Sequence, residues 1–277
     1  MQSTLPNGLE IVDVHCHVWP EALAPRVYAK FTEVADKIGQ FRLSTDCTLD
    51  GLRRHMRESG VAKAVLLPVS TKPSQVEPIN AELAPLLGDG QLLPFATVHP
   101  DCDDPVGVVR RVAEAGFPGI KLHPYDQGFW PHEKRMFPIY DAIVEEGLYV
   151  LFHAGPTGGD IYDRRLTYGF DAYFDHCPYE RTILAHLAGT MGLQEVPEDI
   201  DFDRPGYVDL AFTLGITPDD VWLDMVRRFG AERVLYGSDS PWRSEADDLE
   251  HIARVGLTER ELRLVLSENA HRLFNLG

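Results

Sequence analysis

The sequence predicts a single α/β domain over residues 1–277, an eight-stranded (β/α)8 barrel, and three observations favour it. Short apolar runs alternate with amphipathic segments along the whole chain, which is the pattern of βαβ units. Most of these runs end in a histidine or an aspartate. No Gly-rich phosphate-binding turn follows the first run and no linker divides the chain, so an open doubly wound sheet is the less favoured alternative.

The predicted elements follow in chain order. The strand candidates are 11–17, 64–69, 93–99, 119–123, 148–153, 182–186, 208–212 and 234–239. The helix candidates, bounded by capping residues and glycines, are 49–59, 76–87, 105–115, 133–146, 162–175 (irregular), 218–229, 245–254 and 259–274. Residues 18–47 are too long for an ordinary loop and contain several aromatic residues, so we predict that this insertion after strand 1 caps the C-terminal rim.

Composition limits the classes of partner. The chain is 44% hydrophobic, and its net charge of −17 disfavours nucleic acid and anionic membranes as partners. We expect a small-molecule substrate. No segment resembles a membrane span or a signal peptide, so we expect a cytoplasmic protein. The cysteines show no C-x-x-C spacing and predict neither disulfides nor a thiolate metal site. The sequence leaves open whether the chain forms a homo-oligomer.

The first strand candidate ends in two histidines, His15 and His17. The two-residue period of a strand places both imidazoles on one face and Cys16 on the other. Buried imidazoles without partners are costly, whereas neutral imidazole is a common ligand of zinc and similar ions. The pair therefore indicates a metal site, although an H-x-H pair also arises by chance or from core packing.

Polar residues at other strand ends strengthen the metal-site interpretation. In a barrel with right-handed crossovers the C-terminal ends of all strands meet at one rim. The polar residues at these ends are His15, His17, Lys121, His123, His153, His186 and Asp239. We therefore expect them to form one cup, which a chance distribution of residues explains poorly.

Five motifs in chain order resemble those of the amidohydrolase superfamily. They are H-x-H on the first strand, G-I-K-L-H-P on the fourth, F-H-A-G on the fifth, A-H-L-A-G on the sixth and Y-G-S-D-S-P-W on the eighth. The chain is most similar to the metal-dependent hydrolase branch (amidohydrolase 2) that also contains carboxylate decarboxylases. The resemblance implies a TIM barrel in which His15, His17 and His153 bind a metal. It also implies that Asp239 lies near the metal-bound water and His186 beside the reacting group.

The chemistry of this predicted site follows from its donor set. Three imidazoles and a carboxylate leave a divalent ion room for water, so we expect one catalytic ion, zinc by preference, and leave a second ion open. Asp239 is placed to take a proton from activated water and pass it to a leaving group, and His186 to stabilise a developing oxyanion. The structural alternatives are a turn-capping role for Asp239 and a core role for His186.

Substrate-binding candidates surround the predicted cup. Lys121 has two open roles, binding a substrate carboxylate and, if carboxylated, bridging two metals, beside a purely structural ion pair at the rim. His123 faces the same way, and Trp242 and Arg243 follow the last strand, where they would select an anionic or planar substrate. Two further sets are weaker candidates: His99 at the third strand, and Arg164 and Arg165 after the fifth.

Two enzyme interpretations and one without activity remain open from the sequence. The first is hydrolysis of a small amide, lactone or ester that bears a carboxylate. The second is decarboxylation of an aromatic or enoic acid. The presence of both His15 and His17, together with Lys121, favours hydrolysis modestly. The third interpretation is an inactive metal-binding scaffold, which the complete set of polar positions disfavours.

Overall fold

The computed structural model describes residues 5–39, 41–155, 165–196, 198, 200–204 and 206–276. The strands in these residues are β1 Ile11–Cys16, β2 Val61–Leu66, β3 Leu92–Pro94, β4 Ala96–Thr97, β5 Gly119–Leu122, β6 Tyr149–Phe152, β7 Thr182–Leu184, β8 Tyr207–Asp209 and β9 Val234–Leu235. The α-helices are Ala24–Ile38, Leu49–Ser59, Val76–Leu83, Pro105–Glu114, Pro124–Gln127, Phe137–Glu145, Arg165–His176, Asp219–Phe229, Glu245–Ile252, Glu259–Arg263 and Asn269–Phe274. None of the helices described has both the length and the apolar character that a membrane span requires.

The chain divides into two compact units. One consists of Met1–Leu66, Gly192–Val196 and Leu210–Gly277, and the other of Leu67–Met191 and Pro197–Asp209. We call them the first and second units. The prediction of a single domain over residues 1–277 stays a prediction.

In the first unit β1 has neighbours on both sides. It pairs in parallel with β2, with Ile11 opposite Val61 and Cys16 opposite Leu66. On its other side the backbone N–H of Val14 donates to the carbonyl of Tyr236, just after β9, at 2.9 Å. The first and last strands are therefore neighbours, as the predicted barrel requires.

In the second unit β4 to β8 form a parallel sheet in sequence order. Thr97 pairs with Lys121 and Lys121 with Leu151, so the strand ends that carry the candidate residues follow one another across the sheet. Aliphatic and aromatic residues of these strands are buried, including Ala96, Ile120 and Phe152. This core holds the backbone of the strand ends in place.

Several predicted elements need correction. The third predicted strand is divided at Phe95 into β3 and β4, directly after Pro94, which has no N–H for a ladder. The second begins at Val61 rather than residue 64, because Gly60, with φ 80°, ends the preceding helix. The insertion contains the helix Ala24–Ile38. The predicted helix 259–274 is helical throughout but has a π-helical stretch at Leu264–Glu268.

Candidate metal centre

Three of the four predicted metal ligands come together in the first unit. The Nε2 atoms of His15 and His17 lie 3.4 and 3.2 Å from Oδ1 of Asp239. Their ring centroids are 5.1 Å apart, and one ligand atom from each of the three residues lies within 4.8 Å of the others. His15 is 1% and Asp239 8% exposed, and the side chain of His17 is 12% exposed, so all three ligands are largely shielded from solvent. The fourth predicted ligand, His153, belongs to the second unit.

The backbone around β9 accounts for this convergence. The N–H of Asp239 donates to the carbonyl of His15 at 2.9 Å, and the N–H of His17 donates to the carbonyl of Ser240 at 2.7 Å. Gly237 lies against the side chain of His15, where a Cβ would be 2.9 Å from the histidine Cβ. Asp239 itself has φ 70°, a strained conformation for a residue other than glycine, and such strain is concentrated at functional sites.

The donor set suits a divalent cation. The cluster offers two imidazole nitrogens and a carboxylate oxygen. Zinc, manganese and similar ions accept such ligands. A site built from only three such groups leaves coordination positions for substrate or water. The residues present in the first unit therefore fit a catalytic ion.

Two carboxyl groups and a thiol form a second buried cluster in the first unit. Ligand atoms of Asp13, Cys16 and Glu245 also lie within 4.8 Å of one another, and all three residues are buried. Burial raises the pKa of Asp13 to about 6 and that of Glu245 to about 8, in the second case with help from the charge of Asp13. Ser59 donates a hydrogen bond to Glu245, and the N–H of Glu245 donates to Nε2 of His55 at 3.0 Å.

In the second unit three histidines form a contiguous set. Nε2 of His186 lies 3.1 Å from Nδ1 of His153, within hydrogen-bond distance. The rings of His123 and His153 stack at 4.0 Å with an interplanar angle of 11°. His123 also accepts the N–H of Asp126 at Nδ1, 3.3 Å away, and so caps the short helix Pro124–Gln127. The structure thus brings together the imidazoles of three predicted site residues.

Unusual backbone holds His186 in this set. His186, Leu187 and Ala188 all have left-handed dihedral angles, with φ 59°, 50° and 57°, an arrangement that costs roughly 1–2 kcal/mol per residue. The N–H of His186 donates to the buried carboxylate of Asp209 at 2.9 Å. The sequence shows A-H-L-A-G but gives no sign of a left-handed turn, so Asp209 was not identified as a support of His186.

Lys121 and His99 are buried at the strand ends of the second unit. Lys121, on β5, is only 1% exposed. Such burial is unusual for a charged side chain and requires polar groups nearby. His99 is 4% exposed, and its Nδ1 accepts the N–H of Asp101 at 3.2 Å. Burial lowers the pKa of His99, with a smaller raising effect from Asp101.

The insertion contributes an aromatic cluster beside the triad. His17 neighbours Trp19 at 6.1 Å between ring centroids, and Trp19 packs edge-on against Phe31 at 5.2 Å. The ring centroid of Trp242 lies 3.9 Å from that of Phe31 and 5.7 Å from that of Phe41. The predicted cap is thus anchored to the segment after β9, and Trp242 is one of its packing residues.

Arg243 has structural partners that the sequence did not reveal. Its guanidinium lies 2.5 Å from Oδ1 of the buried Asp248 and donates to the carbonyl of Leu214 at 2.8 Å. Burial raises the pKa of Asp248 to about 7, and the charge of Arg243 opposes that rise. Its predicted role in substrate binding stays a prediction. Arg164 and the side chain of Arg165 lie outside the described residues.

With this geometry in place, a comparison with known proteins decides the family. A family profile described as amidohydrolase matches residues 12–276, nearly the whole chain. The chain belongs to the amidohydrolase family. The resemblance drawn from the sequence motifs is therefore confirmed. No curated protein matches the chain.

Solved structures agree on the fold. A TIM-barrel protein of unknown function from Bordetella bronchiseptica is 17% identical, with 97% of this chain and 99% of that chain covered and a TM-score of 0.78. 5-Carboxyvanillate decarboxylase LigW from Sphingomonas paucimobilis is 15% identical, with 98% and 100% covered and a TM-score of 0.72. A dihydroxybenzoic acid decarboxylase from Polaromonas sp. JS666, solved with manganese and 2-nitroresorcinol, is 15% identical, with 97% of each chain covered and a TM-score of 0.70. The amidohydrolase chain thus has the predicted α/β fold, a (β/α)8 TIM barrel.

Proposed function

We propose that this amidohydrolase is a metal-dependent decarboxylase that releases carbon dioxide from a small aromatic or enoic acid. The observation that carries the proposal is the triad of His15, His17 and Asp239 at the strand ends of a chain of this family. Decarboxylases among the similar solved structures support carbon–carbon cleavage over the hydrolysis that the sequence alone favoured. The manganese in one of them supports a divalent ion without favouring zinc.

A divalent ion held by the triad would supply positive charge for an anionic substrate oxygen and acidify bound water. The motif resemblance assigns His153 to the same ion, and that assignment is part of the proposal. The aromatic side chains beside His17 would hold a planar substrate and exclude water from it.

Asp239 is the proposed proton carrier. In the protonated state its carboxyl donates a proton to the carbon that bears the substrate carboxylate. The bond between that carbon and the carboxylate then breaks, its electron pair returns to the ring or alkene, and carbon dioxide leaves. Asp239 is left as a carboxylate and takes a new proton from solvent. The net change is consumption of one proton for each carbon dioxide released.

His186 and Lys121 have supporting roles in the proposal. His186 would donate a hydrogen bond to substrate oxygen, with its orientation held through His153 and Asp209. Lys121, His123 and Arg243 remain candidates for the substrate carboxylate. We propose that Lys121 is not carboxylated and that a single ion is bound at the triad of His15, His17 and Asp239.

Hydrolysis of a carboxylate-bearing ester or lactone is the second candidate, favoured by the imidazoles of His15 and His17 and by the buried Lys121. There Asp239 would take a proton from water as its oxygen adds to the carbonyl, and pass it to the leaving group.

One experiment separates the two candidates. The protein loaded with Mn²⁺ or Zn²⁺ is incubated with hydroxybenzoic acids, including 2,6-dihydroxybenzoate and 5-carboxyvanillate, and in parallel with their methyl esters. We expect carbon dioxide from the acids and, in D2O, one deuterium at the carbon that lost it. Cleavage of esters or lactones without carbon dioxide release from any acid would overturn the proposal in favour of hydrolysis. The matched control is Asp239→Asn, which keeps a ligand oxygen but carries no acidic proton.

A further inference from the structure

Asp13 occupies an unusual position two residues before the first metal ligand. It is fully buried, and its Oδ1 atom accepts two backbone N–H groups, from His15 at 2.9 Å and from Ser238 at 3.0 Å. These donors belong to β1 and to the segment after β9, which carry His15 and Asp239 respectively. One carboxylate oxygen therefore joins the two backbone segments from which the triad projects.

The pairing of β1 with β2 explains why this acceptor is needed. Asp13 lies opposite Ala64 and Cys16 opposite Leu66, so three steps along β1 match two along β2. Such an irregularity leaves backbone groups without ladder partners and redirects side chains, and it is often found next to active sites. The N–H of His15 lies within it and donates to Asp13 instead.

We infer that Asp13 is a positioning residue for the metal ligands, fixing the directions of His15 and Asp239 through their backbones. The inference rests on the proposed function only in requiring that the triad binds a divalent ion. Groups that orient metal ligands from outside the coordination shell commonly alter affinity or activity about 10- to 100-fold when removed.

Two roles of Asp13 must be distinguished, hydrogen-bond acceptor and buried negative charge, since its carboxyl also lies beside Cys16 and Glu245. Asp13→Asn keeps the Oδ1 acceptor and removes the charge. Asp13→Glu keeps the charge and displaces the acceptor by one methylene. We expect asparagine at position 13 to support metal binding as well as aspartate does, and glutamate not to.

Asn269 offers a matched control for loss of stability alone. It is fully buried, and its Nδ2 donates to the carbonyls of Ala231 and Val234 at 2.6 and 2.8 Å, at the opposite end of β9 from Asp239. Asn269→Ala removes two buried backbone hydrogen bonds, as Asp13→Ala does, but at a distance from the triad along the strand.

The experiment measures the affinity of each variant for Co²⁺ by competition with a chelator, and the visible absorption of the bound Co²⁺, which reports ligand geometry. Wild type is measured first, so absence of binding there would reject the proposed function itself. We expect Asp13→Asn and Asn269→Ala to bind Co²⁺ within about threefold of wild type with an unchanged spectrum. Asp13→Glu and Asp13→Ala should bind about 10- to 100-fold more weakly with an altered spectrum.

Unchanged affinity and spectrum in Asp13→Ala would overturn the inference. A loss of affinity in Asp13→Asn equal to that in Asp13→Glu would also overturn it, because charge or bulk would then matter instead of the acceptor. If Asp13→Ala and Asp13→Glu do not fold, Asp13→Asn decides alone, and more than tenfold weaker binding by the folded variant rejects the inference.

Discussion

Gly155 and Gly189 approach each other so closely that neither can carry a side chain. A Cβ on Gly155 would lie 2.7 Å from Cα of Gly189, and one on Gly189 would lie 2.6 Å from the backbone nitrogen of Gly155. The two glycines end the F-H-A-G and A-H-L-A-G motifs, which contain His153 and His186. The contact lies two residues beyond His153 and three beyond His186, whose imidazole nitrogens are 3.1 Å apart.

Alanine at either position should therefore damage the histidine pair. We expect Gly155→Ala and Gly189→Ala each to lower the free energy of unfolding by about 2–4 kcal/mol, from backbone overlap added to positive-φ strain. The control is Gly128→Ala, where φ is 67° but no atom lies within 4 Å, so that only about 1 kcal/mol of strain applies. Urea unfolding measures all three, and equal losses would show that overlap is unimportant.

Asp239→Asn tests the proton carrier. The amide keeps an oxygen for the ion but has no proton to give, so turnover should fall at least about 100-fold while the fold and Co²⁺ binding persist. Circular dichroism and chelator competition check the fold and the site, and carbon dioxide release checks turnover. Full activity in this variant would remove Asp239 from the mechanism.

Arg243→Met tests whether Arg243 is structural or binds substrate. The substitution leaves the buried Asp248 without its partner cation, which should cost about 3–5 kcal/mol of unfolding free energy. Adding Asp248→Asn should recover much of that loss, because the uncompensated charge disappears. Unchanged stability together with a raised KM would instead support the substrate-binding role predicted from the sequence.

Glu245 should make stability depend on pH. Its pKa is raised from 4.5 to about 8 in the folded protein, so the native state binds more protons than the unfolded state between these values. Stability conferred by the protonated form is therefore present at low pH and declines as pH rises through this window, by up to about 1.4 kcal/mol per pH unit for one group. Asp13 and Asp248, with raised pKa values, act in the same direction.

Glu245→Gln removes the titrating group but keeps an oxygen for the hydrogen bond from Ser59. Urea unfolding of wild type and variant from pH 5 to pH 8.5 should give a flatter profile for the variant. Identical slopes in the two proteins would contradict the assignment.

The alternating strands and helices, and the polar residues at the strand ends, could be predicted from the sequence. The order of the strands, and the pairing of His15 and His17 with Asp239, follow from alternation and from the parallel arrangement of strand ends. The role of Asp13 was missed although it stands in the same run of residues. Strict alternation places it on the histidine face, and only the irregular register of β1 reveals its contacts with backbone.

Other features depend on contacts that no local pattern records. The ion pair of Arg243 with Asp248 joins a loop to the helix Glu245–Ile252, and the overlap of Gly155 with Gly189 joins two motifs far apart in sequence. The preference for hydrolysis rested on His15, His17 and Lys121, which indicate a metal site and a nearby cation but not which bond of the substrate is cleaved. The chemistry of the reacting group lies in the substrate, which the motifs do not encode.

The most direct test of the metal centre is elemental analysis of purified protein, wild type beside His17→Ala. We expect close to one divalent ion per wild-type chain and a large loss of metal from the variant, with the fold retained. Equal metal content in the two proteins would contradict this expectation, because the ion would then be bound elsewhere.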